Sequence, residues 1–287
     1  MEIETVGVVG AGIMGSGIAQ VLASSGLSVI MVDRGDTILA HTREKIGQNL
    51  AYFVKKEQLT EGQRQEILGR IGTTTSLADL RSADFVIEAA SENESIKIGI
   101  LRELDIIVRQ SSIVATNTSS ISITRLAAST AHPDRVIGMH FFNPVPRMGL
   151  VELIRALNTS DFTHSIAEAL VRRIGKTPIT VENRPGFAVN RILCPMINEA
   201  IFVLSEGIAS AQEIDEGMKL GCNHPIGPLA LADLIGLDTL LSVLLVFYEG
   251  FKDPKYRPAP LLQEMVDAGR LGKKSGIGFF EYSSTTP

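Results

Sequence analysis

"VGVVGAGIMGSGIAQ", Val6 to Gln20, is the stretch on which the fold turns. A short apolar run, Val6–Val9, closes on Gly10-Ala11-Gly12-Ile13-Met14-Gly15, and apolar residues at helical spacing follow from Ile13 to Ser25 before Gly26. A bare G-x-G-x-x-G says little, but one that follows a strand and opens a helix has a physical meaning. Gly10 permits the tight turn, Gly12 lets backbone approach a pyrophosphate, and Gly15 allows close helix–strand packing, with the helix N-terminus facing the anion. Gly10, Gly12, Ile13, Met14 and Gly15 are therefore the first cofactor-binding candidates. A second apolar run, Val29–Val32, ends at Asp33, twenty-one residues after Gly12. An acid there takes both ribose hydroxyls and repels a 2'-phosphate, which favours NAD over NADP. Arg34 beside it pulls the other way, because an arginine accepts a 2'-phosphate.

Outward from this unit, strand-like and helix-like stretches alternate. A long helical pattern runs from about Asp36 to Gln58, and "LTEGQRQEILGRI" reads as another helix with Thr60 as its N-cap. Phe85–Ala90, Ile113–Thr116 and Val136–Phe142 are further strands with helices between them. Continuous apolar strands alternating with helices predict an α/β fold with a parallel, doubly wound, Rossmann-type sheet. A polar break, Glu182 to Gly186, ends this pattern, and beyond it the strand-like runs vanish. "NRILCPMINEAIFVLSEGIA" reads as a helix with Pro195 inside, and Ser210 with Glu213 forms a capping box for a helix that stops at Gly221. The expected organisation is a dinucleotide-binding domain over 1–182 and a mostly α-helical domain over 183–287.

Composition narrows the function. The chain has 287 residues, 45% of them hydrophobic and 21% charged, as in ordinary globular proteins. The net charge of -5 and the lack of a long basic run argue against nucleic acid as a partner, although Lys55-Lys56 and Lys273-Lys274 are local spots for a phosphate. Two cysteines, Cys194 and Cys222, have no pair spacing and fit a reduced, cytoplasmic compartment. The acidic start "MEIETVGVVGAG" is no signal peptide. The apolar segment around 228–250 is interrupted by Asp233 and Asp238, and its uncharged run ends at Glu249, too short for a bilayer. It reads as one buried or interface helix. Histidines and cysteines are scattered without ligand spacing, so no metal site is expected.

Ligands of such sheets bind at the C-terminal ends of the strands. Ser119 in "TNTSS" and His140 in "GMHFFNP" stand at two strand exits, and Glu152 follows in "LVELI", twelve positions after His140. An alcohol dehydrogenase needs a base for the hydroxyl proton while hydride leaves to the nicotinamide, and histidine titrates in the right range. A carboxylate fixes its tautomer, and a serine orients the substrate oxygen. Taken singly, these residues read otherwise: His140 as a satisfied structural histidine, Ser119 as a helix cap, Glu152 as a solvated strand residue. A Ser-His-Glu hydrolase is disfavoured because no G-x-S-x-G elbow occurs.

The set "GAGIMGSGIAQ", "IEAASEN", "TNTSS", "IGMHFFNPVPRMGLVE", "PGFAVNRIL", "NHPIGPLALADLIGLD" and "GRLGKKSGIGFF" resembles, in order and over nearly the whole chain, the 3-hydroxyacyl-CoA dehydrogenase family. It is most similar to the short, single-function bacterial 3-hydroxybutyryl-CoA dehydrogenases. The resemblance implies reversible NAD-dependent oxidation of an (S)-3-hydroxyacyl-CoA to the 3-oxoacyl-CoA. It implies His140 as catalytic base, Glu152 as its carboxylate partner, and Ser119 and Asn190 as holders of the substrate's 3-oxygen and thioester region. Glu92, Lys97, Ser119, Asn143 and Lys274 would complete the cofactor contacts, and Asn49 and Lys56 would touch coenzyme A. Read from neighbours alone, these are a loop acid, a solvated helix lysine, a turn residue, a tail lysine, two solvated helix residues and, for Asn190, a helix cap. The resemblance also implies an active site between the domains and a homodimer joined through the helical one. Gly149 stands where many relatives carry lysine, and Arg147 where a small apolar residue is common. A dehydrogenase of a free hydroxy acid or sugar acid, and a non-catalytic, crystallin-like dinucleotide-binding protein, are the alternatives.

Overall fold

The computed structural model describes residues 2–282 and divides into two compact units, Met1–Arg184 and Pro185–Pro287. The first unit runs β1 (Thr5–Val9), α1 (Ile13–Ser24), β2 (Ser28–Val32), α2 (Asp36–Lys55), α3 (Glu61–Gly69), β3 (Ile71–Thr74), β4 (Phe85–Glu88) and α4 (Glu94–Ile107). It continues through β5 (Ile113–Thr116), α5 (Ile123–Ala127), β6 (Val136–Phe141), β7 (Leu150–Arg155), α6 (Asp161–Arg173) and β8 (Thr177–Glu182). The strands form one sheet in the order β3-β2-β1-β4-β5-β6-β7-β8. The order reverses at β1, which pairs in parallel with both β2 and β4, so a crevice opens at the C-terminal ends of these strands. The expected doubly wound sheet is present.

The sheet departs from all-parallel at one point. β6 and β7 pair antiparallel, and β8 then runs parallel to β7. The reason is length: only eight residues, 142–149, separate β6 from β7, too few for a crossover helix, so the chain must turn back on itself. β4, β5 and β6 are buried at every position, as expected of strands covered on both faces. β8 has only half-buried and exposed positions, as suits a sheet edge. Local signals hold where they were read: the Thr60 hydroxyl oxygen accepts from the backbone N–H of Gln63, and the Gln63 side-chain oxygen accepts from the Thr60 N–H.

The second unit contains α7 (Val189–Ser205), α8 (Ala211–Gly221), α9 (Pro228–Ile235), α10 (Leu237–Phe251) and α11 (Pro260–Asp267). Pro195 lies inside α7, and Ser210 with Glu213 forms the capping box of α8. The single helix expected around 228–250 is instead two, α9 and α10, bent by 97° at Gly236. Gly236 has φ +99°, a conformation open to glycine and strained for other residues, and it ends one helix while starting the next. Asp233 breaks the apolar run for a reason remote in sequence. Its buried carboxylate accepts from the N–H groups of Phe279 and Phe280 and from the Tyr282 hydroxyl, each at 3.0 Å. Among the described residues no single helix is long and apolar enough to cross a membrane.

Candidate active site

The glycine turn is built as its sequence requires. Gly10 has φ +103°, and a Cβ there would lie 2.6 Å from the Ala89 carbonyl oxygen. A Cβ on Gly15 would lie 1.8 Å from the Gly10 carbonyl oxygen, so α1 can seat against the turn only with glycine. Gly12 is different: a Cβ there meets no protein atom within 4 Å. No contact within the chain demands glycine at this position, and the open space lies at the N-terminus of α1, where the first backbone N–H groups have no helical partner. These residues fit a dinucleotide pyrophosphate.

The turn opens on a cleft of about 1120 Å³ at the ends of β1, β2 and β4. Ile13, Met14, Asp33, Arg34 and Ile38 are among its walls. Ile13 is 74% exposed, an apolar surface placed beside the turn. The Asp33 carboxylate accepts from the Ala11 N–H at 2.7 Å through Oδ2 and from the Arg34 N–H at 2.7 Å through Oδ1. The acid is thereby fixed at the mouth of the turn, and each oxygen retains a lone pair for a ribose hydroxyl. Arg34 is exposed beside it.

His140 and Glu152 face each other across β6 and β7 as a register pair, so their spacing of twelve is that of two strands and the connection between them. His140 Nδ1 lies 2.7 Å from Glu152 Oε2. Glu152 is fully buried and His140 is 6% exposed, so neither is a solvated strand residue. Burial of a carboxylate is costly without partners, and the imidazole beside it supplies one. With Nδ1–H donated to the carboxylate, the neutral ring carries its basic lone pair on Nε2. The Phe142 ring packs on the imidazole at a centroid distance of 4.6 Å.

The exits of three strands are tied together here. Asn117 donates its N–H to the Glu88 carbonyl, and its Oδ1 accepts from the Phe141 N–H at 2.9 Å. Ser119 follows Asn117 and belongs to a second cluster centred on Glu92. One Glu92 oxygen accepts from the Thr118 hydroxyl at 2.6 Å, the Ser119 N–H at 3.0 Å and the Ser120 hydroxyl at 2.8 Å, with the Ser119 hydroxyl at 3.3 Å. Burial works against the Glu92 charge, but the Thr118 hydroxyl, the Lys97 ammonium, the Ser120 hydroxyl and the Ser119 N–H outweigh it and hold the carboxyl below its usual range.

Beneath this cluster lies a residue that sequence reading passed over. Glu88, the last residue of β4, is fully buried, and both of its oxygens receive the Lys97 ammonium, at 2.9 and 3.0 Å. It also accepts from the Thr116 hydroxyl at 2.6 Å and the Ala90 N–H at 2.7 Å. Lys97 itself has no solvent exposure, and its Nζ stands 3.6 Å from Glu92. It is thus no solvated helix lysine. It links a buried carboxylate to the one that gathers the Ser119 loop. The available signal was weak: a glutamate closing an apolar strand and a lysine nine residues later.

The other candidates lie elsewhere. Asn143 is exposed just after β6. Asn49 and Lys56 are exposed at and just beyond the C-terminal part of α2, with Tyr52 between them and the Lys56 ammonium 5.8 Å from its ring centroid. Asn190 and Lys274 are in the second unit rather than the one that carries His140. Asn190 is in the first turn of α7 and is not its cap, which is Ala188. The Lys274 ammonium is held by Asp238 Oδ2 at 2.6 Å. Among the described residues no cluster of His, Cys, Asp and Glu could hold a metal ion.

The model of the 3-hydroxyacyl-CoA dehydrogenase NAD binding domain matches residues 5–184, and that of the 3-hydroxyacyl-CoA dehydrogenase C-terminal domain matches residues 186–282. The chain is 50% identical over 285 residues to a 3-hydroxybutyryl-CoA dehydrogenase of Bradyrhizobium diazoefficiens, covering 99% of this chain and 97% of that protein. It is 49% identical over 286 residues to a probable 3-hydroxybutyryl-CoA dehydrogenase of Bacillus subtilis, with 100% of both covered. Among solved structures, (S)-3-hydroxybutyryl-CoA dehydrogenase from Ralstonia eutropha matches with a TM-score of 0.97 at 60% identity, covering 99% of this chain and 100% of that one.

Proposed function

The chain belongs to the 3-hydroxyacyl-CoA dehydrogenase family, and from that premise we propose that it interconverts (S)-3-hydroxybutyryl-CoA and acetoacetyl-CoA with NAD, His140 serving as the base. The observation that carries the base assignment is the buried His140–Glu152 pair, 2.7 Å apart at the exit of β6. Bound NAD supplies the two-electron acceptor. His140 takes the substrate hydroxyl proton at Nε2, and Glu152 at Nδ1 keeps that tautomer and stabilises the imidazolium that forms. In the reducing direction the imidazolium returns the proton to the developing alkoxide. Ser119 donates to the substrate's 3-oxygen, and Asn190 to its thioester region. Gly10, Gly12, Ile13, Met14 and Gly15 hold the pyrophosphate, and Asp33 the adenosine ribose. Glu92, Ser119, Asn143 and Lys274 complete the cofactor site, with the buried Lys97 acting from behind Glu92. Asn49 and Lys56 hold the coenzyme A. The protein acts in the cytoplasm as a homodimer joined through its helical domain.

Mixing the protein with NADH and acetoacetyl-CoA is expected to bleach the NADH absorbance. Cofactor binding without that loss would favour a non-catalytic dinucleotide-binding protein. Asp33→Ala is expected to weaken NAD binding roughly ten- to hundredfold, the range for a lost hydrogen bond to a charged group. Direct titration of both cofactors checks it, and an unmutated protein that prefers NADP would sink the Asp33 assignment. Lys56→Ala is expected to raise the KM for acetoacetyl-CoA roughly two- to fivefold, as for an exposed ion pair, with the KM for NADH unchanged. An unchanged KM for acetoacetyl-CoA would favour a free hydroxy acid as the substrate.

A further inference from the structure

Away from the dinucleotide cleft, the first unit holds a second cavity of about 400 Å³. Its walls come from the C-terminal halves of α1 and α2, the connection before β7 and the turn before β8. Ligand pockets span about 300–1,000 Å³ and are mostly apolar with a few placed polar groups. This one has both kinds of group in its lining: the apolar Val21, Leu50, Phe53, Leu59 and Ile174, and two cations, Arg147 and Lys176.

Two features have no explanation within the chain. Lys176 is 8% exposed, and its ammonium donates to the carbonyls of Val145 at 2.7 Å and Met148 at 2.6 Å. Those bonds use two of its three protons and neutralise none of its charge. Burial lowers its pKa, with no carboxylate acting to raise it. No acidic residue lines the cavity, and among the described residues neither Lys176 nor Arg147 has an ion-pair partner. Gln20 is the second feature. It is 3% exposed, it lines the cavity, and its carboxamide has no hydrogen-bond partner among the described residues. Its amide atoms are not among the fully buried partnerless ones, so they are reachable from the cavity with their bonding capacity unused.

We propose that this cavity is a binding site for an alkyl monocarboxylate, the carboxylate lying between Arg147 and Lys176 and accepting from Gln20, the chain lying on Leu50, Phe53 and Ile174. A Cβ at Gly149 would meet nothing within 4 Å, and the residue lines the cavity. A phenylalanine there has room to lie over the cavity, so Gly149→Phe is the plug chosen for the test, and it touches none of the proposed catalytic groups.

Octanoate is the probe, titrated calorimetrically into the full chain saturated with NAD and then into the chain saturated with NAD and acetoacetyl-CoA, a pair that does not turn over. The expected result is one octanoate per chain in both states. Arg147→Ala and Gln20→Leu should each weaken it about tenfold or more, and Gly149→Phe should abolish it. Octan-1-ol and inorganic phosphate, which carry only the chain or only the charge, should bind far more weakly. Turnover at the unmutated level certifies the fold of each variant, and the exposed Arg147→Ala keeps the test decisive if Gln20→Leu does not fold. No octanoate binding at about 1 mM, the scale of a weak small-molecule site, overturns the proposal. So does equal affinity in Arg147→Ala and Gly149→Phe. Displacement by acetoacetyl-CoA also overturns it, because octanoate would then occupy the substrate's own acyl site.

Discussion

His140→Gln is expected to lower turnover about 10²–10⁴-fold, the usual contribution of a positioned general base. Glutamine keeps a polar group beside the buried Glu152 carboxylate and removes the titrating nitrogen. The Asp33 cradle and the glycine turn rest on β1, β2 and α1, so NAD affinity should change little. Initial rates followed through NADH absorbance, with cofactor affinity measured separately, distinguish the two. Turnover near that of the unmutated protein would defeat the assignment of His140 as base. Glu152→Gln is the informative companion. It leaves the imidazole in place and removes the charge 2.7 Å from Nδ1, so its loss should fall on turnover and on the pH profile of the rate rather than on cofactor binding.

Lys97→Met is expected to cost about 3–5 kcal/mol of stability, the range for breaking a buried ion pair by removing one partner. It leaves Glu88 charged, fully buried and without its cation. Urea unfolding reads the loss as a lower midpoint with an unchanged slope. Adding Glu88→Gln to Lys97→Met should recover part of it, because the amide carbonyl still accepts from Thr116 or Ala90 while the stranded charge is gone. A double variant no more stable than Lys97→Met alone would show that the pair's charge is not what Lys97 serves. The same substitution removes the cation beside Glu92, the acid that gathers Thr118, Ser119 and Ser120, so a raised KM for NADH should accompany it.

Much of this was legible along the chain because it is local. The turn at Gly10–Gly15 is a short motif: the left-handed backbone of Gly10 and the close approach of Gly15 to the Gly10 carbonyl are local requirements, and Gly12 leaves open space at the helix N-terminus. The caps at Thr60 and Ser210 are satisfied within a single helical turn. Family membership was legible for a different reason, the order of many motifs over nearly the whole length. What stayed hidden depends on partners far away in sequence. "DFVIEAA" does not tell that Glu88 will meet a lysine turned inward from α4. "PLALADLIGLD" does not tell that Asp233 will hold the backbone of Phe279 and Phe280. Nor does apolar count show that Gly236 divides one hydrophobic run into helices 97° apart, since a backbone angle decides it.

The amino-acid sequence by itself determined a strand–glycine-turn–helix unit, an acid at the end of the second strand, and a helical second half. All three follow from short-range sterics and hydrophobic period. It placed His140 and Glu152 twelve residues apart without deciding between a structural histidine and a base. The tertiary structure supplied what that choice needs. The eight-residue connection forces β7 back against β6, the antiparallel register puts the two side chains face to face, and the sheet excludes water from Glu152. Only in that dry pairing is one imidazole nitrogen committed to a carboxylate and the other left basic. Burial and register arise from contacts across the whole unit, which is why spacing alone could not supply them.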